Sequence, residues 1–478
     1  MKSLFSMYSP RLPNYLVYML QSCEYQAMPY LKWLLRVRDF STVMHRRQLD
    51  NTKRAKLLLL ALRIGILSEI AIGIVLIILN FVLKLPGLWA FGLAIIIAYP
   101  LIWPLLVVIP LELARVFIVQ PKNQHEIEQA QKIYQSHPAV KIAVAGSYGK
   151  TSMKEVLKTV LSEGKKVQAT QANHNVAIEH AKLAKKLTGQ EEILIIEYGE
   201  GAPGDVAKFT NITHPTHGVI TGLAPAHLDK YKTVDAAGED IFSLASYLKN
   251  KNVYVNGQSE LAAKFLKPSF VRYSNQGVGD WKVENVKLSV NSTSFQLVKD
   301  KQILNLKSEL LGAHQVGVLS LAAMLAMEFG LTKAQIEQGI AKTKPFEHRM
   351  QPYQLSGAWI IDDTYNGNID GIKAGTALLR QLSAKRKIYV SPGLVDQGKE
   401  TARVHQEMGQ VIAQGQPDMV VLMANSVTEF IKQGLVQAGY KGELIIESDP
   451  LAFYQGLEHF VASGDLVLMQ NDWPDNYA

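Results

Sequence analysis

Residues 143–157 read AVAGSYGKTSMKEVL: an apolar run, a turn holding Gly146 and Gly149, then Lys150, Thr151 and Ser152 opening an amphipathic stretch. Glycines let backbone N–H groups turn inward around an anion, and a lysine placed here reaches the β- and γ-phosphates. A neighbouring hydroxyl, Thr151 or Ser152, can hold Mg²⁺, while the N-terminus of the next helix adds partial positive charge. The types and spacing describe a cradle for nucleotide phosphates made of Gly146, Ser147, Gly149, Lys150, Thr151 and Ser152. The full Walker spacing asks for glycine at 144, where this chain has Val144. An ordinary strand–turn–helix connection is the simpler reading of Gly-Lys-Thr, and the flanking strand and helix favour the cradle.

The elements that must position this loop are legible around it. Past Pro121, β-rich runs at 141–146, 192–199 and 217–224 end in glycine or small residues, with helical stretches at 152–163 and 176–187 between them. That alternation predicts a parallel sheet with crossover helices. Further strand-like runs fall within 251–308, followed by helices at 314–329 and near 333–343. A second α/β series begins at 359–363 and continues at 387–393, 419–425, 444–448 and 466–472. The expected fold class is α/β: a P-loop ATP-binding domain with a parallel sheet over 121–311 and a Rossmann-like domain over 312–478.

The first 120 residues differ in kind. Residues 1–56 hold ten of the 50 Lys/Arg and three of the 42 Asp/Glu, so the remainder is nearly balanced. The net charge of +8 therefore belongs to an N-terminal arm, which argues for anionic lipid headgroups and against a nucleic-acid groove in the body. Between Ile64 and Val119 the charged residues are Glu69, Lys84, Glu112 and Arg115. Apolar runs at 64–83 and 88–111 are each long enough to cross a hydrocarbon core, which takes about 20 helical residues. Joined by KLPG, they predict a transmembrane hairpin over 57–120. The basic residues ahead of it (Arg36, Arg38, Arg46, Arg47, Lys53, Arg54, Lys56) put both ends in the cytoplasm. Pro100, Pro104 and Pro110 should bend the second helix, and Glu69 should snorkel or meet Arg63. Residues 14–38 suggest an interfacial helix, or a cytosolic one packed on the body. The single cysteine, Cys23, excludes an intrachain disulfide and a cysteine-rich metal site.

Six further stretches occur in order after the loop: IIEYGEGAPGDV (195–206), GVITGLAPAHLDKY (218–231), LLGAHQVGVLSLAAMLAMEFG (310–330), EHRM (347–350), IIDDTYNGNIDGIKAG (360–375) and PGLVDQGKETARVHQEMG (392–409). Together they resemble the Mur ligase family over roughly 137–478, and within it the branch that joins D-alanyl-D-alanine to a muramoyl tripeptide. The resemblance implies ATP- and Mg²⁺-dependent amide formation through an acyl phosphate. It also implies roles for residues. Lys150 would bind phosphate, Thr151 and Glu197 would hold magnesium, and His227 would hold a second metal. Asp363, Tyr365, Asn366 and Asn368 would close over the nucleotide, with Arg349 reaching it. On this resemblance the catalytic set is Lys150, Glu197, His227 and Asp363. Asn173 and Asn175 match asparagines after the second strand, and His405 matches a histidine expected to be structural. Without the family, Glu197 reads equally as a capping or solvated residue, His227 as a loop histidine, and DDTYNGN as a strand followed by an Asx-type turn.

The chain departs from the family pattern in several places. Relatives carry a lysine, carbamylated to bridge two metals, where this chain has Gly238 or Glu239; Glu239 or Asp240 is expected to supply that charge, unless these acids form a solvated helix face. Gln315 keeps an amide for the nucleotide, but Val318 stands where the family has an asparagine. The ending MQNDWPDNYA replaces a lysine-containing motif. A basic arm and two apolar spans stand where relatives have a domain that grips the UDP-sugar. The expected acceptor is accordingly a cell-wall precursor, lipid-linked or UDP-linked, with an amine such as D-alanyl-D-alanine, at the cell membrane beside its lipids. A poly-γ-glutamate-synthase-like ligase, a membrane-associated P-loop ATPase and a non-catalytic scaffold are the rival readings.

Overall fold

The computed structural model describes residues 6–37, 40, 43, 49–171, 174–225, 228–365, 367–395 and 397–471. The chain forms two compact units, residues 1–125 and 126–478.

In the first unit, helices Lys53–Leu83 and Leu88–Leu106 pack side by side. Both are long and apolar enough to cross a membrane. Leu60, Ile64, Leu67, Ile78 and Phe81 on the first are each more than half exposed, so its outer face is apolar. The helices approach closely because both contact points are glycine: a Cβ on Gly73 would stand 2.7 Å from the Gly92 carbonyl oxygen. Pro100 and Pro104 lie inside the second helix, which breaks at Val107. A segment Val108–Ala114, a π-helical turn Arg115–Val119 and a polar helix Gln120–Ser136 follow, so helix extends well past the expected end at 111.

Two expectations for this unit change. Glu69 does not meet Arg63. Six residues along a helix turn the two side chains far apart; Glu69 instead accepts from Trp103 Nε1 at 2.5 Å, and Arg63 donates to Asn14 Oδ1 at 3.2 Å. The single helix at 14–38 is two, Leu12–Ser22 and Ala27–Leu34, broken where Glu24 and Tyr25 take left-handed backbone angles. Leu12, Leu16 and Leu20 are buried in one cluster with Ala55, Leu62 and Val107, so this segment packs on the hairpin's own helices. Arg38, Arg46 and Arg47 lie outside the described residues.

The second unit holds two sheets. The first comprises β1 (Val140–Ala145), β2 (Val167–Ala169), β3 (Ile193–Glu197), β4 (His217–Ile220), β5 (Val253–Asn256), β6 (Val271–Ser274), β7 (Gly277–Val278), β8 (Trp281–Ser289), β9 (Ser292–Lys299) and β10 (Gln302–Ser308). Its order is β10-β9-β8-β7-β6-β5-β4-β1-β3-β2; β2 to β6 pair in parallel through β1, and β6 to β10 run antiparallel. β1, β3 and β4 are apolar and buried along almost their whole length, as strands covered on both faces must be. The chain leaves β1 towards β2 and β3 on one side, then returns to β4 on the other. The crevice at the carboxyl ends of β1 and β4 is therefore a switch point, where open α/β sheets bind ligands.

The second sheet has β11 (Gln351–Leu355), β12 (Ala358–Asp363), β13 (Arg386–Ser391), β14 (Met419–Met423), β15 (Glu443–Glu447) and β16 (Asp465–Gln470), in the order β11-β12-β16-β13-β14-β15, parallel except for β11. Helices His314–Glu328 and Lys333–Ala341 bury Val316, Leu319, Ile336 and Ile340 in the core of the first sheet. By packing, the change from one sheet to the other falls after Ala341, not near 312. The apolar faces of these helices match the surface left bare by β5 to β10.

Candidate active site

β1 ends at Ala145, and the turn after it adopts the shape its glycines permit. Gly146 has φ +141°, and a Cβ there would stand 2.3 Å from Thr221 Oγ1; Gly149 has φ +73° and precedes helix Lys150–Leu161. Ser147 N–H donates to the Gly222 carbonyl at 2.9 Å, and the Thr221 hydroxyl donates to the carbonyl of Tyr148, which ties the turn to the end of β4. Val144, where a longer glycine motif would have glycine, is fully buried in β1 and pairs with Glu197.

Parallel pairing of β1 and β3 delivers Glu197 to this turn. The residue is 1 % exposed. Its Oε1 accepts from the Thr151 hydroxyl at 3.1 Å and from Asn175 Nδ2 at 3.2 Å, and Lys154 Nζ lies 3.3 Å from Oε2. His180 supports the strand from beneath, with Nε2 2.9 Å from the Glu197 carbonyl oxygen; burial lowers its pKa to about 4, so it donates as a neutral ring. Lys150 Nζ donates to the Gly146 carbonyl at 2.5 Å and to Glu200 Oε2 at 2.6 Å.

The turn opens into a cavity of about 1120 Å³ lined by residues of both sheets. From the first come Ser147, Gly149, Lys150, Thr151, Ser152, Glu197 and Gln315; from the region of the second come Arg349, Asp363, Tyr365 and Asn368. Arg349 stacks over the Tyr365 ring, 4.3 Å from its centroid. Asp363 ends β12 and accepts from Met350 N–H at 3.2 Å and Gln470 Nε2 at 2.8 Å; burial nevertheless raises its pKa to about 6. Asn368 caps helix Ile369–Gln381, accepting from Gly371 N–H at 2.9 Å. Gln315 Nε2 lies 3.0 Å from His314 Nε2; an amide nitrogen only donates, so the imidazole nitrogen accepts. Val318 lines the same cavity.

His227, Asn173 and Asn366 lie outside the described residues. Glu239 is exposed and does not line the cavity, while Asp240 is buried and accepts from the Tyr231 hydroxyl at 2.7 Å and Gly204 N–H at 3.0 Å. Neither carboxylate lines the cavity at the phosphate turn. Adjacent helical residues point about 100° apart, one outward and one into the helix packing. The carboxylate beside Lys150 is Glu200, which sequence reasoning missed; its signal was its place three residues past Glu197. His405 is fully buried, and its ring nitrogens contact the backbone of Leu394 and Thr401, the structural placement expected of it.

The donor set fits a hard divalent cation such as Mg²⁺. Among the described residues no three His, Cys, Asp or Glu gather into a metal cluster. The Thr151 hydroxyl and the Glu197 and Glu200 carboxylates do offer hard oxygens at the phosphate turn. Two buried atoms there, Ser147 Oγ and Glu197 Oε2, have no hydrogen-bond partner among the described residues.

Comparison with known proteins matches residues 144–326 to the Mur ligase middle domain and residues 348–470 to the Mur ligase glutamate ligase domain. The UDP-N-acetylmuramoyl-tripeptide–D-alanyl-D-alanine ligase of Escherichia coli is 28 % identical over 294 residues, 59 % of this chain and 64 % of the relative. The chain thus spans just under two thirds of that relative's length. Among solved structures, the MurF ligase of Thermotoga maritima in complex with ADP aligns at a TM-score of 0.65 with 21 % identity, covering 74 % of this chain and 82 % of that one. A MurF of Acinetobacter baumannii aligns at 0.64 with 19 % identity, covering 73 % and 77 %. At these identities the structural likeness is one of fold. The ordered motifs, the two domain matches and the shared fold agree, and this chain belongs to the Mur ligase family.

Proposed function

We propose that this chain is an ATP- and Mg²⁺-dependent amide ligase that joins an amine, such as D-alanyl-D-alanine, to the carboxylate of a peptidoglycan precursor. The observation that carries this reading is the meeting of two residue groups in one cavity: Lys150, Thr151 and Glu197 from the first sheet, Arg349, Tyr365 and Asp363 from the second. Phosphoryl transfer needs positioning and charge neutralisation rather than covalent help from the protein, and this set supplies both.

In this reading the acceptor carboxylate oxygen attacks the γ-phosphorus of ATP and ADP leaves. The amine nitrogen then attacks the acyl carbon of the acyl phosphate, and inorganic phosphate leaves with the C–O bond pair. The N–H groups of the turn and Lys150 hold the phosphates. Thr151 and Glu197 would hold the magnesium, and His227, on the family pattern, a second metal. The cation supplies charge neutralisation for the transferring phosphoryl group. Arg349 and the residues Asp363 to Asn368 close over the nucleotide, and Gln315 offers an amide to the base.

The apolar hairpin and basic arm support placement at the cell membrane, multi-pass, with the N-terminus and catalytic domains in the cytoplasm. Anchoring there raises encounter with an acceptor that is itself lipid-linked.

The test is phosphate release by detergent-solubilised protein with ATP and Mg²⁺, offering matched UDP-linked and lipid-linked muropeptides with and without D-alanyl-D-alanine, and products read by mass. A new amide on the lipid-linked acceptor only is the expected result. An amide on the UDP-linked acceptor keeps the ligase and removes the role of the anchor. ATP hydrolysis without any amide overturns the reading.

A further inference from the structure

Lys150 and Lys154, one turn apart on the helix that follows the phosphate turn, each face a carboxylate. Lys150 is 2.6 Å from Glu200 Oε2, and their side chains are 12 % and 4 % exposed; Lys154, fully buried, lies 3.3 Å from Glu197 Oε2. A nucleotide approaching without a metal meets lysines already paired with carboxylates, so the Lys150 ammonium is engaged with Glu200 and the carboxylate oxygens face the phosphates in a partly dried site. A divalent cation reverses that balance, because carboxylate oxygens are its preferred ligands. Glu200 sits on the loop between β3 and helix Asp205–Thr213, where a side-chain rotation moves its carboxylate without disturbing a strand.

Taking the phosphate turn as the nucleotide site proposed above, we infer that Glu200 is a further carboxylate of that site, engaged with Lys150 in the ligand-free protein and given over to the divalent cation of an incoming metal–nucleotide. Lys150 is thereby released to the phosphates only when a cation comes with them, and nucleotide binding becomes strictly coupled to the metal. Glu200 acts as a positioning residue: it governs where the Lys150 ammonium is directed.

The test reads binding rather than turnover. A fluorescent ATP analogue is titrated into the full chain in detergent, with Mg²⁺ and with a chelator, for the wild type, Glu200→Gln and Glu200→Asp, with thermal unfolding reporting that each variant is folded. In the wild type, removal of Mg²⁺ should weaken binding by at least about tenfold, the scale of one close charge pair. Glu200→Gln should raise the metal-free affinity by roughly that factor while leaving the Mg²⁺ affinity equal or lower, so the ratio collapses. Glu200→Asp, which keeps the charge, should retain most of the coupling. An unchanged ratio in Glu200→Gln overturns the inference and leaves the ligase reading intact. Failure of the wild type to bind the Mg²⁺ analogue overturns both.

Discussion

Burial and the nearby carboxylate of Asp370, in the first turn of helix Ile369–Gln381, together raise the pKa of the Tyr148 hydroxyl in the phosphate turn. That proximity sets the nucleotide-facing loop of the first sheet beside the element that follows DDTYNGN in the second. The Tyr148 ring also fills the place a side chain would take at Gly222, where a Cβ would stand 2.3 Å from Cζ. Tyr148→Phe keeps that packing and removes the hydroxyl. It should weaken affinity for the nucleotide analogue roughly fivefold, about 1 kcal/mol for the loss of one polar group beside the site, with little change in unfolding temperature. Gly222→Ala should be more damaging, because the backbone there has φ +153° and the Tyr148 ring would have to shift to admit a Cβ.

Lys154 is fully buried between Glu197 and Glu155, 3.3 Å from a carboxylate oxygen of each. Lys154→Met leaves Glu197 charged and uncompensated, so it should destabilise the protein by about 3–5 kcal/mol. Adding Glu197→Gln to Lys154→Met should recover much of that loss. Thermal or denaturant unfolding of the two variants checks both statements.

Asp363 titrates at about 6 against an ordinary 3.8, chiefly because it is buried. The folded state binds this proton more tightly than the unfolded chain, so between those values the native form holds more protons. Stability from this group is therefore complete below pH 3.8 and falls as pH rises to about 6. Asp363→Asn removes the titration. Its stability relative to wild type should rise across that window and level off above it, as read from unfolding midpoints at a series of pH values.

Glu239 is exposed, and the cavity does not include it. Glu239→Gln should leave the magnesium dependence of nucleotide binding within about twofold of wild type, as expected of a surface charge. A large shift would restore the metal role that its sequence position suggested.

In the hairpin, Gly73→Leu should force the two helices apart, since its Cβ would meet the Gly92 carbonyl at 2.7 Å and Ile96 at 2.5 Å. The expected cost is about 1–3 kcal/mol, the usual range for overpacking. Unfolding in detergent measures it, and a red shift of tryptophan emission should accompany the loosened Glu69–Trp103 contact.

Much of the second unit was legible because its signals are local. Runs such as ILIIE and MVVLM are buried end to end in β3 and β14, so burial wrote itself into composition. Strands β8 and β10 were harder to see: β8 exposes most of its residues and β10 alternates, and exposed antiparallel strands carry weaker apolar patterning. The edge strands β2 and β11, of 3 and 5 residues, are too short and too exposed to stand out.

The site divides the same way. The phosphate turn could be read directly, because two glycines at the right separation dictate the backbone path whatever surrounds them. By itself the sequence determined the α/β alternation, the turn, the apolar hairpin and the ordered motifs of a family. The tertiary structure decided which charges meet. Lys150 and Glu200 stand fifty residues apart, and they touch because β3 pairs with β1 so that Val144 aligns with Glu197. Glu69 faces Trp103 and Glu239 faces solvent for the same reason. Strand order, register and helix rotation come from packing over long separations, and no local pattern encodes them.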